Sequence, residues 1–109
     1  MQEQIMNRDE NLVEVKKIIT YILPGSRIIL FGSRARGDFD NQSDYDLMVI
    51  SKKELDFKEK RKYASDIRKH LARLGIPVDV LVKTETDVFY YEDKIGSVVR
   101  AAIRDGIAL

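Results

Sequence analysis

The stretch LFGSRARGDFDNQSDYDLMVI, residues 30–50, sets a Gly-Ser pair, two arginines and two spaced aspartates between two apolar runs. On its upstream side RIILF, Arg27 to Phe31, has the length and β-branched content of a short buried strand. On its downstream side DYDLMVIS reads as a second strand, Asp44 to Ile50. The polar SRARGDFDNQS between them is a loop with room for a helical turn at its start. Side chains alternate along a strand, so Asp44 and Asp46 face one side, their Cβ atoms roughly 6–7 Å apart, while Tyr45 and Leu47 face the other. Two like charges held on one face repel unless a cation lies between them or water screens them. A hard divalent cation suits an Asp-x-Asp pair and needs no histidine. The plain alternative is a strand end whose aspartates only face solvent. Against it, LMVI continues as a buried run, which puts the pair at the start of a core element.

Working outward, Leu12, Val15, Ile19 and Ile22 recur at helical spacing and Ile18 widens the stripe, so a helix is expected over residues 3–22, ended by Pro24-Gly25. Phe57, Ala64, Ile67, Leu71 and Leu74 share one face of a second helix over residues 56–74, with Gly75 as its stop. IPVDVLVK is a third strand, with Val78, Val80 and Val82 on one face and Asp79 and Leu81 on the other. A charge inside a core strand is costly unless it is paired or coordinates something. Asp79 therefore either pairs with an arginine such as Arg27 or Arg34, or joins Asp44 and Asp46 in a carboxylate cage for one or two Mg²⁺ ions. TETDVFYYEDK opens with a capped helical turn at Thr84, and IGSVVRAAIRDG is a last helix closed by Gly106. The order α-β-β-α-β-α-α predicts a small mixed β-sheet with helices packed against it, an α+β or α/β fold, as a single domain over residues 1–109.

Composition narrows the chemistry. The chain has 109 residues and a net charge of +1, so no global basic field points to nucleic acid or an anionic membrane. It has no cysteine, which excludes disulfides, thiolate metal sites and cysteine nucleophiles and suits a reducing cytoplasm. MQEQIMNRDENLVEV holds no apolar signal core and no run of about 18 apolar residues occurs, so a cytoplasmic location is expected. With His70 the sole histidine, a metal site must rest on carboxylates, which favours Mg²⁺ or Mn²⁺ over structural zinc.

Gly32 lets a bulky anion approach the backbone, and Ser33 adds a hydroxyl beside successive N–H groups. Arg34 and Arg36 can fork onto phosphate oxygens. The plainer readings are a strand-ending turn, and loop arginines that are solvated or neutralise the aspartates. A phosphate grip beside a carboxylate cage fits a Mg²⁺–nucleoside triphosphate. Elsewhere, His70 reads as a surface residue and KKELDFKEKRK as a solvated helix start. In VFYYED, Phe89 is expected to pack on the sheet, while Tyr90 and Tyr91 stay open between packing, adenine stacking and a partner surface. Val98, Val99, Ala102 and Ile103 are core or interface positions, and an apolar final helix offers a patch to a partner or to a second copy.

Gly32-Ser33, ten residues, then Asp44-Tyr45-Asp46 gives the pattern G-S-x10-D-x-D. With GSRARG and SDYDL at this distance, the chain resembles the nucleotidyltransferase superfamily of the DNA polymerase β-like fold and, more narrowly, the minimal nucleotidyltransferases, or MNT proteins. The resemblance covers most of the chain. It implies a sheet with the Gly-Ser turn at the end of its first strand, catalytic Mg²⁺ on Asp44 and Asp46, and Asp79 in the third acidic position. It further implies ATP as substrate and a separately encoded helical partner, a HEPN protein, since larger relatives carry an extra domain that is not seen here. Such pairs act as toxin and antitoxin, and some MNT proteins move AMP onto a tyrosine of the HEPN ribonuclease. Two other readings stay open: a binding module that neutralises a HEPN partner by complex formation, and transfer to a small-molecule acceptor.

Overall fold

The structure, a computed structural model, describes residues 9–109. Helix α1 (Glu10–Ile22) starts at Asp9, whose side chain accepts a hydrogen bond from the Asn11 N–H at 3.0 Å. The part of the expected helix before Asp9 lies outside the described residues. Leu12, Val15 and Ile19 form the buried stripe of α1. Strand β1 (Arg27–Phe31) has the predicted bounds, and Ser33–Arg36 forms a single helical turn, α2, closed by Gly37 at φ 89°. Strand β2 (Tyr45–Ser51) begins one residue later than expected and leaves Asp44 just ahead of it.

Helix α3 (Phe57–Arg73) opens on a capping box between Asp56 and Glu59. Strand β3 (Val78–Thr84) leads directly into helix α4 (Glu85–Tyr91), opened by the reciprocal bonds of Thr84 and Asp87. Helix α5 (Val98–Asp105) is capped by Ser97 and followed by β4 (Ile107–Ala108). Sequence reading missed β4, because two residues carry no alternation to detect.

The strands form one mixed sheet in the order β3-β2-β1-β4. β1 is antiparallel to β2 and β4, and β2 is parallel to β3. On one face, Ile28, Leu30, Leu47, Val49, Val80 and Val82 pack against Leu12, Val15 and Ile19 of α1 and Ile67 and Leu71 of α3. On the other, Ile29, Met48 and Ile50 pack against Val88 of α4 and Val99 and Ala102 of α5. β2 is thus covered on both faces, which is why LMVI is a continuous apolar run.

Four side chains expected at core or interface positions are exposed. Phe57, the first residue of α3, and Leu74, its C-cap, are 71% and 53% exposed. Phe89 is 82% exposed, because α4 turns Val88 rather than its neighbour to the core. Val98, at the first position of α5, is also exposed.

Candidate active site

The register of the sheet builds the site. Phe31 lies opposite Asp46, and Asp46 lies opposite Asp79, so the three form a row across β1, β2 and β3. The next row on the same face is Ile29, Met48 and Leu81, which belongs to the apolar layer under α4 and α5. Helices cover the apolar row and leave the acidic one at the open end of that face. Asp46 is half-buried there, while Asp44 and Asp79 are exposed.

Exposure removes the premise that Asp79 carries a charge into a buried strand. Neither candidate arginine pairs with it. Arg27 donates from Nε and Nη2 to both carboxylate oxygens of Glu85, each at 2.9 Å. Arg34 donates from Nε and Nη2 to the Ser43 carbonyl at 3.1 and 3.0 Å, and from Nη2 to the Asp40 carbonyl at 3.3 Å. Its guanidinium is also held between the rings of Phe39 and Tyr45, 4.5 and 4.1 Å from their centroids. Arg34 thus braces the loop that delivers Asp44, and its fork is engaged by that loop's carbonyls. Arg36 pairs with Asp38 at 3.2 Å, with both side chains exposed.

The carboxylates sense one another. Burial, then the charges of Asp79 and Asp44, push the Asp46 carboxyl above the usual aspartate range, and Arg36 opposes them. Among the described residues no three acidic, histidine or cysteine side chains are drawn into a ready-made metal cage. What the fold presents is an all-oxygen cluster with accumulated negative charge, a donor set that fits a hard divalent cation.

Gly32 joins the turn to this cluster. Its φ of 73° lies in the left-handed region that favours glycine. A Cβ at this position would collide with Oδ2 of Asp46 and stand 3.1 Å from its Cγ. The Gly32 carbonyl accepts from the Ala35 and Arg36 N–H groups at 3.1 Å, which starts α2 immediately beyond the contact. The N–H groups that open such a turn have no partner within it and are available to an anion.

Tyr45, one residue from Asp46, points to the opposite face. Its hydroxyl donates to Asp9 Oδ2 at 2.7 Å and accepts from Asn11 Nδ2 at 3.2 Å, tying the start of α1 to β2. A cavity of about 580 Å³ opens on that side, lined by Asp9, Asn11, Arg34, Phe39 and Tyr45 among others. Sequence reasoning missed the Asp9–Tyr45 brace, since nothing local links residues 36 positions apart. His70 is exposed, as expected.

Residues 12–108 match the nucleotidyltransferase domain family. The chain belongs to that family. Its fold is that of solved nucleotidyltransferases, and the likeness to MNT proteins extends to individual relatives. A protein of Methanocaldococcus jannaschii named as a protein adenylyltransferase is 41% identical over 75 residues, 67% of this chain and 72% of that protein. MntA of Haemophilus influenzae, also named as a protein adenylyltransferase, is 39% identical over 54 residues, 50% of this chain and 47% of that protein.

Among solved structures, a toxin–antitoxin complex with AMP-PNP superposes with a TM-score of 0.58 at 22% identity, covering 87% of this chain and 68% of that one. The complex of the tri-AMPylated Shewanella oneidensis HEPN toxin with its MNT antitoxin gives 0.51 at 20% identity, covering 99% of this chain and 71% of that one. At these identities the structural likeness speaks for the fold. Among the described residues no helix is long and apolar enough to cross a membrane.

Proposed function

We propose that the protein moves AMP from ATP to a tyrosine hydroxyl of a helical, HEPN-type partner, that it depends on Mg²⁺, and that it acts as an antitoxin in the cytoplasm. One observation carries the reading: the Gly32 turn abuts the Asp46 carboxylate, with Asp79 alongside, so the backbone that would hold phosphate and the carboxylates that would hold metal share one corner of the sheet. The names of the relatives and the AMP-PNP complex support the choice of protein acceptor and nucleotide.

On this reading the backbone and hydroxyl of Gly32-Ser33 hold the triphosphate, with Arg36 at its exposed side. Asp44 and Asp46 would hold Mg²⁺, with Asp79 as a third ligand. The ion, when bound, neutralises phosphate charge and makes the acceptor hydroxyl more acidic. The acceptor oxygen forms a bond to the α-phosphorus as the bond from that phosphorus to the bridging oxygen breaks, and pyrophosphate leaves. The acceptor proton passes to water, or, where Asp79 serves as general base instead of as a ligand, to its exposed carboxylate, which a protein-borne hydroxyl can reach. Arg34 acts at one remove, fixing Ser43 and hence the adjacent Asp44.

The test is incubation with labelled ATP, Mg²⁺ and a candidate HEPN-type helical protein, followed by mass spectrometry. One or more AMP groups on a partner tyrosine is the expected outcome. A stable complex that gains no mass would overturn transfer and leave neutralisation by binding.

A further inference from the structure

The net charge of +1 conceals a division. Helix α3 carries seven lysines and arginines against Glu59 and Asp66, a balance of +5, which leaves −4 on the rest of the chain. Lys60 pairs with Asp87 at 2.8 Å. The other six, Lys58, Arg61, Lys62, Arg68, Lys69 and Arg73, are exposed, and none is held in an ion pair among the described residues. At 3.6 residues per turn, Lys58, Lys62, Lys69 and Arg73 fall along one line, opposite the buried Ile67 and Leu71. Arg61 and Arg68 lie along one flank of that line, Glu59 and Asp66 along the other. The line is about 22 Å long. α3 packs on the sheet face turned away from Asp46 and Asp79, so the basic and acidic surfaces do not overlap.

The head of this stripe is aromatic. Phe57 is 71% exposed, and the Arg61 guanidinium lies 5.6 Å from its ring centroid. A bare ring at the end of a row of cations fits a polymer that alternates phosphates with flat bases. The carboxylates of an acidic protein would use the cations and leave the ring idle. Between the cations the line holds Ser65 and Ala72, which offer nothing to sink into a lipid surface. We propose that the exposed face of α3 binds single-stranded RNA, with phosphates on Lys58, Lys62, Lys69 and Arg73 and an unpaired base stacked on Phe57 beside Arg61. Unpaired bases are the ordinary state of RNA loops and ends, whereas a double helix keeps its bases from the ring. Contacts of this kind follow the backbone and read no sequence. The proposal is independent of the chemistry assigned to the acidic row, since its readout is RNA binding and not transfer.

The test is fluorescence anisotropy of the full chain with a labelled oligouridylate of about 12 nucleotides. Four phosphate contacts should make the affinity fall about fifty-fold between about 50 and 200 mM salt. Lys62→Gln with Lys69→Gln should cost roughly ten-fold in affinity and about half of that salt dependence. Phe57→Ala should weaken binding about five-fold or more and leave the salt dependence as it was. Lys94→Gln with Arg104→Gln removes the same charge from the α4–α5 side and should change affinity less than about two-fold. No binding at low salt, an equal loss from the Lys94 and Arg104 changes, or unaltered affinity in Phe57→Ala overturns the proposal. So does displacement of the RNA by polyglutamate at equal charge, which would mark the face as a dock for an acidic protein.

Discussion

Asp46 and Asp87 lie at opposite ends of the same sheet, one at the start of β2 and one just past the end of β3. Burial pushes both carboxyls upward. At Asp87 that push is outweighed by the Lys60 ammonium, 2.8 Å away, and by the Thr84 N–H and hydroxyl, so the group ends below the usual range. At Asp46 the neighbouring charges of Asp79 and Asp44 push the same way as burial, and the group ends above it. The fold satisfies one aspartate from within and leaves the other in need of positive charge from outside. On the proposed function, that separates a carboxylate that holds the structure together from one kept for chemistry.

The largest test of this division is Asp46→Asn, which should lower AMP transfer roughly a thousand-fold with the fold intact, while Asp87→Asn leaves transfer within a few-fold. Near-normal transfer by Asp46→Asn would erase the distinction. Gly32→Ala should reach the same end from the backbone side. It forces the Asp46 carboxylate aside, lowers transfer about a hundred-fold, and adds about 1–2 kcal/mol of strain visible as a lower melting temperature.

A smaller effect is expected at the other end of the sheet. Thr84→Ala removes the cap of α4 and should cost about 1 kcal/mol, or about 4–8 °C in melting temperature for a chain of this size, with transfer by the folded protein preserved.

The smallest effects concern pH and have opposite signs. The folded pKa of Asp87 is depressed, so its contribution to stability is present above the ordinary aspartate range and is lost as pH falls through the folded value. The folded pKa of Asp46 is raised, so its ionisation costs stability as pH climbs from that range through the folded value. Without metal, Asp46→Asn should therefore melt slightly above the parent at neutral pH, with the gain vanishing near pH 4. Asp87→Asn should melt below it at neutral pH, with that deficit shrinking in acid. Mg²⁺ should raise the melting point of the parent and do less for Asp46→Asn. Calorimetry across pH with and without Mg²⁺ checks all of these.

What was legible in the sequence was what local signals encode. β-branched runs marked β1 to both its ends, Thr84 announced its cap, and the spacing of Asp44 and Asp46 pointed to a shared charge problem. What was not legible depends on partners distant in the chain. IPVDVLVK leaves Asp79 open between an arginine partner and a place beside Asp46, and the second is what the parallel register, set by α3 crossing between the two strands, brings about. The choice between Val88 and Phe89 for the core turns on how α4 is rotated against the sheet, and a seven-residue helix is too short to declare its buried side. Arg34 looked equally suited to phosphate and to loop, and only the arrangement of Phe39, Ser43 and Tyr45 shows what occupies its fork.

The contact between Gly32 and Asp46 also sets a ruler between positions 32 and 46. The carboxylate occupies the room that any side chain at 32 would need, and one more methylene at 46 has to push against the same backbone. Asp46→Glu keeps charge and donor atoms yet moves the oxygens off the strand's corner. Functional variation should therefore be closed at both positions together, with neither able to drift unless the other yields first.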